Sequence, residues 1–368
     1  MNATIVAKIG SSSITDPEGR VSAAAVAKLC REIAGLRATG YRCVIVTSGA
    51  IAAGLPLLGL GGARRPRDLS TLQAVSAVGQ GRLIGHYMDE LASHGLVGGQ
   101  VLLTPLDFIV RNQYVHARAT MQRLLDLGVV PVVNENDAVA DDEIRFGDND
   151  RIAALVAHLV DAEHLVLLTD TPGVFTADPK VDARASLIEE IIEIDARLEL
   201  SAGGAGTSRG SGGMASKLAA AKIATWSGVR VVIAQADRPD VLLDAVAGVA
   251  GVGTVFVPKP HRLSARKLWI AFAVAAEGRV VVDHGARTAL VDSGVSLLGA
   301  GVVAVTGEFE AGDALEICDV HGSVFAKGLA RHDANTSRSM IGKRTAQLPD
   351  GMAAEMVHRD DLVIVPSG

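Results

Sequence analysis

Hydrophobic positions along this chain fall into short unbroken runs that alternate with stretches of helical spacing. Thr4 to Ile9, Arg42 to Thr47, Val101 to Thr104, Val129 to Val133, His164 to Leu168, Val229 to Ala234 and Thr254 to Val257 are aliphatic and bounded by turn formers. Such runs predict strands buried in a parallel sheet. Between them, Val26, Leu29, Cys30 and Ile33 recur on one helix face that Gly40 terminates, and Leu69 to Leu91 and Tyr114 to Leu127 read as further helices. Ile152, Leu155, Val156 and Leu159 mark another, entered through Asp148, Asn149 and Asp150. Strand and helix in alternation predict an α/β fold with helices packed on a mainly parallel sheet.

The pattern changes after Pro258-Lys259-Pro260-His261-Arg262, a polar, proline-containing string that reads as a linker. Beyond it, short strands at Val280 to Val282, Val302 to Val305, Ala314 to Cys318 and Val324 to Ala326 predict a small all-β, barrel-like module. The expected limits are a first domain at 1–258, a linker at 259–270, the module at 271–354 and a tail at 355–368.

Composition narrows this picture. A chain of 368 residues that is 49% hydrophobic but 3% aromatic has the aliphatic content of a buried parallel sheet. The formal charge of −6 gives no reason to expect non-specific binding to nucleic acid. The three cysteines, Cys30, Cys43 and Cys318, are far apart and in no metal-ligand spacing, which fits a reducing, cytoplasmic setting. No basic segment followed by an apolar core opens the chain, and Val241 to Val257 is broken by Asp244 and glycines, so neither a signal peptide nor a membrane span is expected.

Polar groups gather where the strands end. Lys8 lies within an apolar strand, a costly position unless its ammonium meets a partner or ligand, and phosphate contact is favoured over a snorkelling edge lysine. Gly10 follows it, and the second strand runs into Ser48-Gly49-Ala50, where small residues let backbone N–H groups approach an anion. Asn134, Glu135, Asn136 and Asp137 come just after the Val129 strand, beyond the carboxyl end where ligands of such sheets collect. An N-cap accounts for one of Asp148, Asn149 and Asp150, but not for the facing cluster. Thr169 and Asp170 leave another strand, in a run that turn chemistry alone could produce. Ser211 to Lys217 carries a glycine-rich loop into a helix with a lysine one turn in, a combination suited to a triphosphate although it lacks P-loop spacing.

Taken together, VAKIGSSS, VIVTSGAIAAG, VPVVNENDAVA, FGDND, LLTDTPGVFTADP and GSGGMASK resemble, in order, the glutamate 5-kinase branch of the amino acid kinase family. GARTALVDSGVSLLGAGVVAVTGEFEAGD is similar to a PUA domain. Ser11 and Ser12 stand where glycine-threonine is common, and Ser216 where threonine is usual; both changes keep size and polarity. The resemblance implies a three-layer αβα sandwich with a PUA-like domain after it. It also implies transfer of the γ-phosphoryl group of ATP to the side-chain carboxylate of L-glutamate, the first step of proline synthesis. By it, Lys8 and Lys217 flank the moving phosphoryl, Asp150 orients them, and backbone near Gly10 and Gly49 holds its oxygens. Ser48, Asp137 and Asn149, helped by Asn134 and Asp148, hold glutamate. Lys8, Gly10, Gly49, Thr169, Asp170, Ser211, Gly212, Gly213, Met214, Ala215, Ser216 and Lys217 hold ATP, with Mg2+ carried on the phosphates and no metal site on the protein. A homo-oligomer, proline as feedback inhibitor and a glutamyl-phosphate reductase as partner are further expectations.

Two other readings compete. Other members of the family phosphorylate aspartate, acetylglutamate, carbamate or nucleotides on the same fold; the NENDAVA to GDND stretch favours glutamate. An RNA-binding role through the C-terminal module would rest on Arg331, Arg338, Lys343 and Arg344. From residue 261 onward there are 11 Lys and Arg against 13 Asp and Glu, so no broad basic surface supports it.

Overall fold

The structure is a computed structural model of the chain. It describes residues 3–365 apart from 17, 61–65, 140–148, 180, 183, 196–197, 200–212, 261 and 350. The chain divides into two compact units, Met1–Arg262 and Leu263–Gly368.

The first unit is built on an eight-stranded sheet of order β3-β4-β2-β1-β5-β7-β8-β6. Its strands are β1 (Thr4–Ile9), β2 (Arg42–Val46), β3 (Gly98–Leu103), β4 (Val130–Glu135), β5 (His164–Thr169), β6 (Glu190–Ile191), β7 (Arg230–Gln235) and β8 (Gly253–Phe256). All neighbours run parallel except β7 and β8. Side chains alternate across a strand, so each strand serves two cores. Ile5, Ala7 and Ile9 of β1, with Ile45 of β2 and Leu168 of β5, pack with helices α2 (Ala23–Ala38), α4 (Leu69–Ser93) and α9 (Val241–Ala247). Val6 and Lys8 take the opposite face, towards α7 (Asn149–Leu159) and α8 (Met214–Trp226), which pack on each other. Further helices described in this unit are α1 (Ser11–Ile14), α3 (Ala50–Leu57), α5 (Leu106–Ile109) and α6 (Arg111–Asp126).

Strand β4 extends two residues further than its apolar run predicts. Asn134 and Glu135 are its last residues, buried and paired in register with Leu102 and Leu103. The polar cluster therefore begins inside the sheet edge, not after it. Pro131, which has no N–H to donate, precedes the part of β4 that pairs with β2.

In the second unit a five-stranded sheet has the order β11-β9-β12-β13-β15, beside a two-stranded ladder β10-β14. Here β9 is Gly278–Val282, β10 Leu297–Leu298, β11 Val302–Gly307, β12 Ala314–Cys318, β13 Val324–Leu329, β14 Glu355–Val357 and β15 Leu362–Ile364. The structure departs from the expected limits at both ends of this module. Ala265–Leu268 is helical and Leu268 and Ile270 are fully buried, where a linker was expected. Residues expected as a tail supply β14 and β15, whose three-residue runs are too short to show a period. Helices His284–Ser293 and Ala334–Met340, each capped by an aspartate side chain, were not apparent among the short strands.

All three cysteines are free and buried, and burial pushes the Cys30 and Cys43 thiols up to about 12. Among the described residues no helix is long and apolar enough to cross a membrane.

His158, at the end of α7, is 7% exposed. Burial, with the Arg262 guanidinium nearby, lowers its imidazole to about 4. The fold thus keeps a neutral ring that the unfolded chain protonates below about pH 6.5. This contribution to stability is complete above that pH and is lost as pH falls towards 4. Urea unfolding at pH 7 and pH 4.5 should show the wild type losing roughly 2–3 kcal/mol more than His158→Gln between the two, at about 1.4 kcal/mol per pH unit. Equal losses would remove this assignment.

Candidate active site

A lysine at the end of an apolar strand needs a counter-charge, and the fold supplies one. Lys8 is 3% exposed and its Nζ lies 2.5 Å from Oδ1 of Asp150, which is fully buried in the first turn of α7. The other carboxylate oxygen, Oδ2, accepts from Lys217 Nζ at 3.2 Å and from Ser216 Oγ at 3.3 Å. Lys217 sits in the first turn of α8, 6% exposed. Residues 8, 150 and 217 thus meet at one buried carboxylate between two ammonium groups. Burying that much charge is tolerable only because it is paired, and the trio carries a net positive charge that suits an anion.

Backbone donors surround this trio. Helix α3 starts at Gly49 and α8 at Gly213, and neither N-cap supplies a side chain to the first-turn N–H groups. Such open N-termini favour negative charge. Gly49 has a φ of +108°, a left-handed conformation that a side chain would strain. Gly10 precedes α1 directly after β1, and a Cβ there would touch Lys8 Nζ at 3.5 Å.

Beside the charged trio stands a polar wall. Asn149 Nδ2 donates to the Thr47 carbonyl at 2.6 Å, to Ser48 Oγ at 3.0 Å and to Asn134 Oδ1 at 2.8 Å. Ser48, Asn134 and Asn149 are thus one cluster, assembled from the ends of β2 and β4 and the start of α7. Asp137 joins it through helix α4, whose Ser76 Oγ donates to Asp137 Oδ2 at 2.6 Å. Ser76, Gln80 and Tyr87 of α4 were not singled out from the sequence. Gln80 Oε1 accepts from Asn134 Nδ2 at 2.8 Å, and the Tyr87 hydroxyl is 2.9 Å from Thr47 Oγ1. Burial raises the Tyr87 phenol far above its ordinary value, the Thr47 bond opposing in part. The signal was present: three polar side chains at helical spacing on an otherwise apolar face.

Thr169 ends β5, the strand beside β1, and Asp170 follows it. Thr169 Oγ1 donates to Asp170 Oδ1 at 3.0 Å, and both line a cavity of about 400 Å³ with Ile9, Ser13, Leu29 and Ala236, on the α2 side of the sheet. Met214 and Ala215 open α8, and Gly213 is its N-cap. Asp148, Ser211 and Gly212 lie outside the described residues. Among the described residues no group of three carboxylate, histidine or cysteine side chains is placed to hold a metal.

In the second unit, Arg338 of the basic cluster is engaged, donating to the Gly307 carbonyl at 2.5 Å and to Glu308 Oε1 at 2.8 Å.

If the carboxylate holds the two cations together, Asp150→Asn leaves two buried ammonium groups facing each other. The variant should melt several degrees below wild type in calorimetry, since breaking a buried pair costs about 3–5 kcal/mol. Tripolyphosphate should then raise its melting temperature more than that of wild type. An unchanged melting temperature would contradict the pairing.

Residues 3–235 match the amino acid kinase family and residues 278–352 the PUA domain. A glutamate 5-kinase of Synechococcus elongatus is 44% identical over 369 residues, covering 99% of this chain and 100% of that protein. One from Salinispora arenicola is 46% identical over 366 residues, covering 98% and 97%. Carbamate kinase from Giardia lamblia bound to AMP-PNP aligns with a TM-score of 0.50 at 17% identity, covering 70% of this chain and 99% of that one, a likeness of fold. The chain belongs to the amino acid kinase family, within its glutamate 5-kinase group, and carries a PUA domain.

Proposed function

We propose that this chain is an ATP-dependent kinase of the L-glutamate side-chain carboxylate, forming L-glutamyl 5-phosphate at the start of proline synthesis. The observation that carries the reading is the convergence of Lys8 and Lys217 on Asp150 beside the Ser48, Asn134, Asn149 and Asp137 cluster. Phosphoryl transfer asks a protein mainly to hold two oxygens in line and to neutralise charge on the group that moves. An oxygen of the glutamate carboxylate forms a bond to the γ-phosphorus as the bond to the ADP oxygen breaks. No proton has to leave, because that carboxylate is ionised near neutral pH.

Lys8 and Lys217 neutralise the migrating group, and Asp150 keeps both side chains in place. First-turn N–H groups of α3, with backbone near Gly10, receive phosphoryl oxygens. Asp137 and the buried carbonyl oxygen of Asn149 suit an α-ammonium group, while Ser48 suits a carboxylate. Thr169, Asp170 and the 211–217 segment serve the nucleotide. Both oxygens of Asp150 already face ammonium groups, so the donor set fits magnesium that is carried on the ATP phosphates. There it would offset negative charge on the phosphate oxygens.

An acyl phosphate is labile in water, which favours consumption by a reductase of glutamyl phosphate, with proline as the end product able to report back on this step. Three free, buried thiols suit a cytoplasmic enzyme.

With ATP, magnesium and hydroxylamine, glutamate should yield glutamyl hydroxamate in a colorimetric assay, and aspartate and acetylglutamate little. Good product from aspartate and none from glutamate would reject the substrate. Lys217→Ala should lower turnover at least a hundred-fold with far less change in the glutamate KM; normal turnover would remove Lys217 from the reaction.

A further inference from the structure

Asn134, 2% exposed at the end of β4, uses both ends of its amide. Its Oδ1 accepts from the Glu135 N–H at 2.9 Å and from Asn149 Nδ2 at 2.8 Å, while its Nδ2 donates to Gln80 Oε1 at 2.8 Å. An amide has one donor end and one acceptor end, so an oxygen at the Gln80 position helps decide which way Asn134 faces. The choice is passed on. Asn134 Oδ1 takes a hydrogen from Asn149 Nδ2, which also bonds the Thr47 carbonyl at 2.6 Å. The Asn149 carbonyl oxygen is then left buried and without a hydrogen-bond partner among the described residues. A buried acceptor of that kind is what the ammonium group of an amino acid can satisfy.

Gln80 is held firmly enough for this work. Its neighbour Gly79 is where α4 meets α3: a Cβ there would lie 1.8 Å from the Ala50 carbonyl oxygen and 2.4 Å from the Gly54 nitrogen. A Cβ on Gly54 would come within 2.1 Å of the Val75 carbonyl oxygen. The two helix backbones are therefore in direct contact, and α3 begins at the Ser48-Gly49 turn. One helical turn before Gln80, Ser76 donates to Asp137. Helix α4 thus grips the substrate side of the site at two points a turn apart.

We propose that Gln80 is a positioning residue for the amino acid substrate, acting through the Asn134 and Asn149 amides to present the Asn149 carbonyl oxygen to the substrate ammonium. The proposal rests on the glutamate reading above. Removing the acceptor leaves the Asn134 NH2 buried and unpaired and takes away one of the bonds that hold this amide, and through it the Asn149 amide, in place. No group that touches phosphate is disturbed, so the effect falls on the amino acid alone.

The test uses the full-length protein as wild type, Gln80→Leu, Gln80→Met and Gln80→Glu, with KM and kcat measured for both substrates and thermal midpoints recorded for each. Leu and Met lack the acceptor at similar volume; Glu retains an oxygen able to accept from Asn134 whether ionised or not. The glutamate KM should rise about ten-fold in Gln80→Leu and Gln80→Met, the scale of one misplaced buried hydrogen bond. Turnover and the ATP KM should stay within about two-fold, and Gln80→Glu should restore most of the glutamate KM. An unchanged glutamate KM, a parallel rise in both KM values, or a Gln80→Glu variant as impaired as Gln80→Leu would overturn the proposal. Absence of any glutamate product from the wild type would instead remove the substrate reading and the proposal with it.

Discussion

The carboxylate of Asp150 is the constraint on which the site depends. It is fully buried, and it lies within 2.5 Å of Lys8 and 3.2 Å of Lys217. It is the buried counter-charge that both lysines share. The rest of the first unit makes that meeting possible. Strand β1 lies in the centre of the sheet with its even-numbered side chains turned to α7 and α8, and both helices begin at the edge where β1 ends. One residue of slip in β1 would turn Lys8 to the α2 face, away from both partners.

Neutral amide chemistry complements this charge. The substrate side of the site is organised by Asn134 and Asn149, whose donors and acceptors are assigned by neighbours from β2, β4 and α4. Charge placement suits a phosphoryl group, and amide placement suits an amino acid. The two halves share α7: Asn149 and Asp150 are consecutive, one in the amide cluster and one in the charged trio. In the proposed reaction that adjacency would help fix the distance between the nucleophile and the group it attacks.

Much of this was legible before the coordinates. Lys8 announces itself by its charge within an apolar strand and Lys217 by the glycine-rich loop before its helix, and every strand of the first unit except the two-residue β6 overlaps an aliphatic run. The role of α4 was not legible. Gln80 and Asn134 are 54 positions apart, and the contact between them is set by glycine packing of α3 on α4 that no local period encodes. The last strands of the second unit were missed for a different reason. A three-residue strand such as Leu362–Ile364 owes its conformation to pairing with β13, not to its own pattern.

In the proposed reaction Lys8 and Lys217 hold the phosphoryl group more tightly in flight than in ATP at rest. This is tested most directly by titration calorimetry of ADP with magnesium, aluminium fluoride and glutamate, against a non-hydrolysable ATP analogue, in wild type and Lys8→Met. Lys8→Met should weaken binding of the fluoride complex at least ten-fold more than that of the ATP analogue. Equal losses for the two ligands would show that the lysine merely binds nucleotide, and would contradict that role.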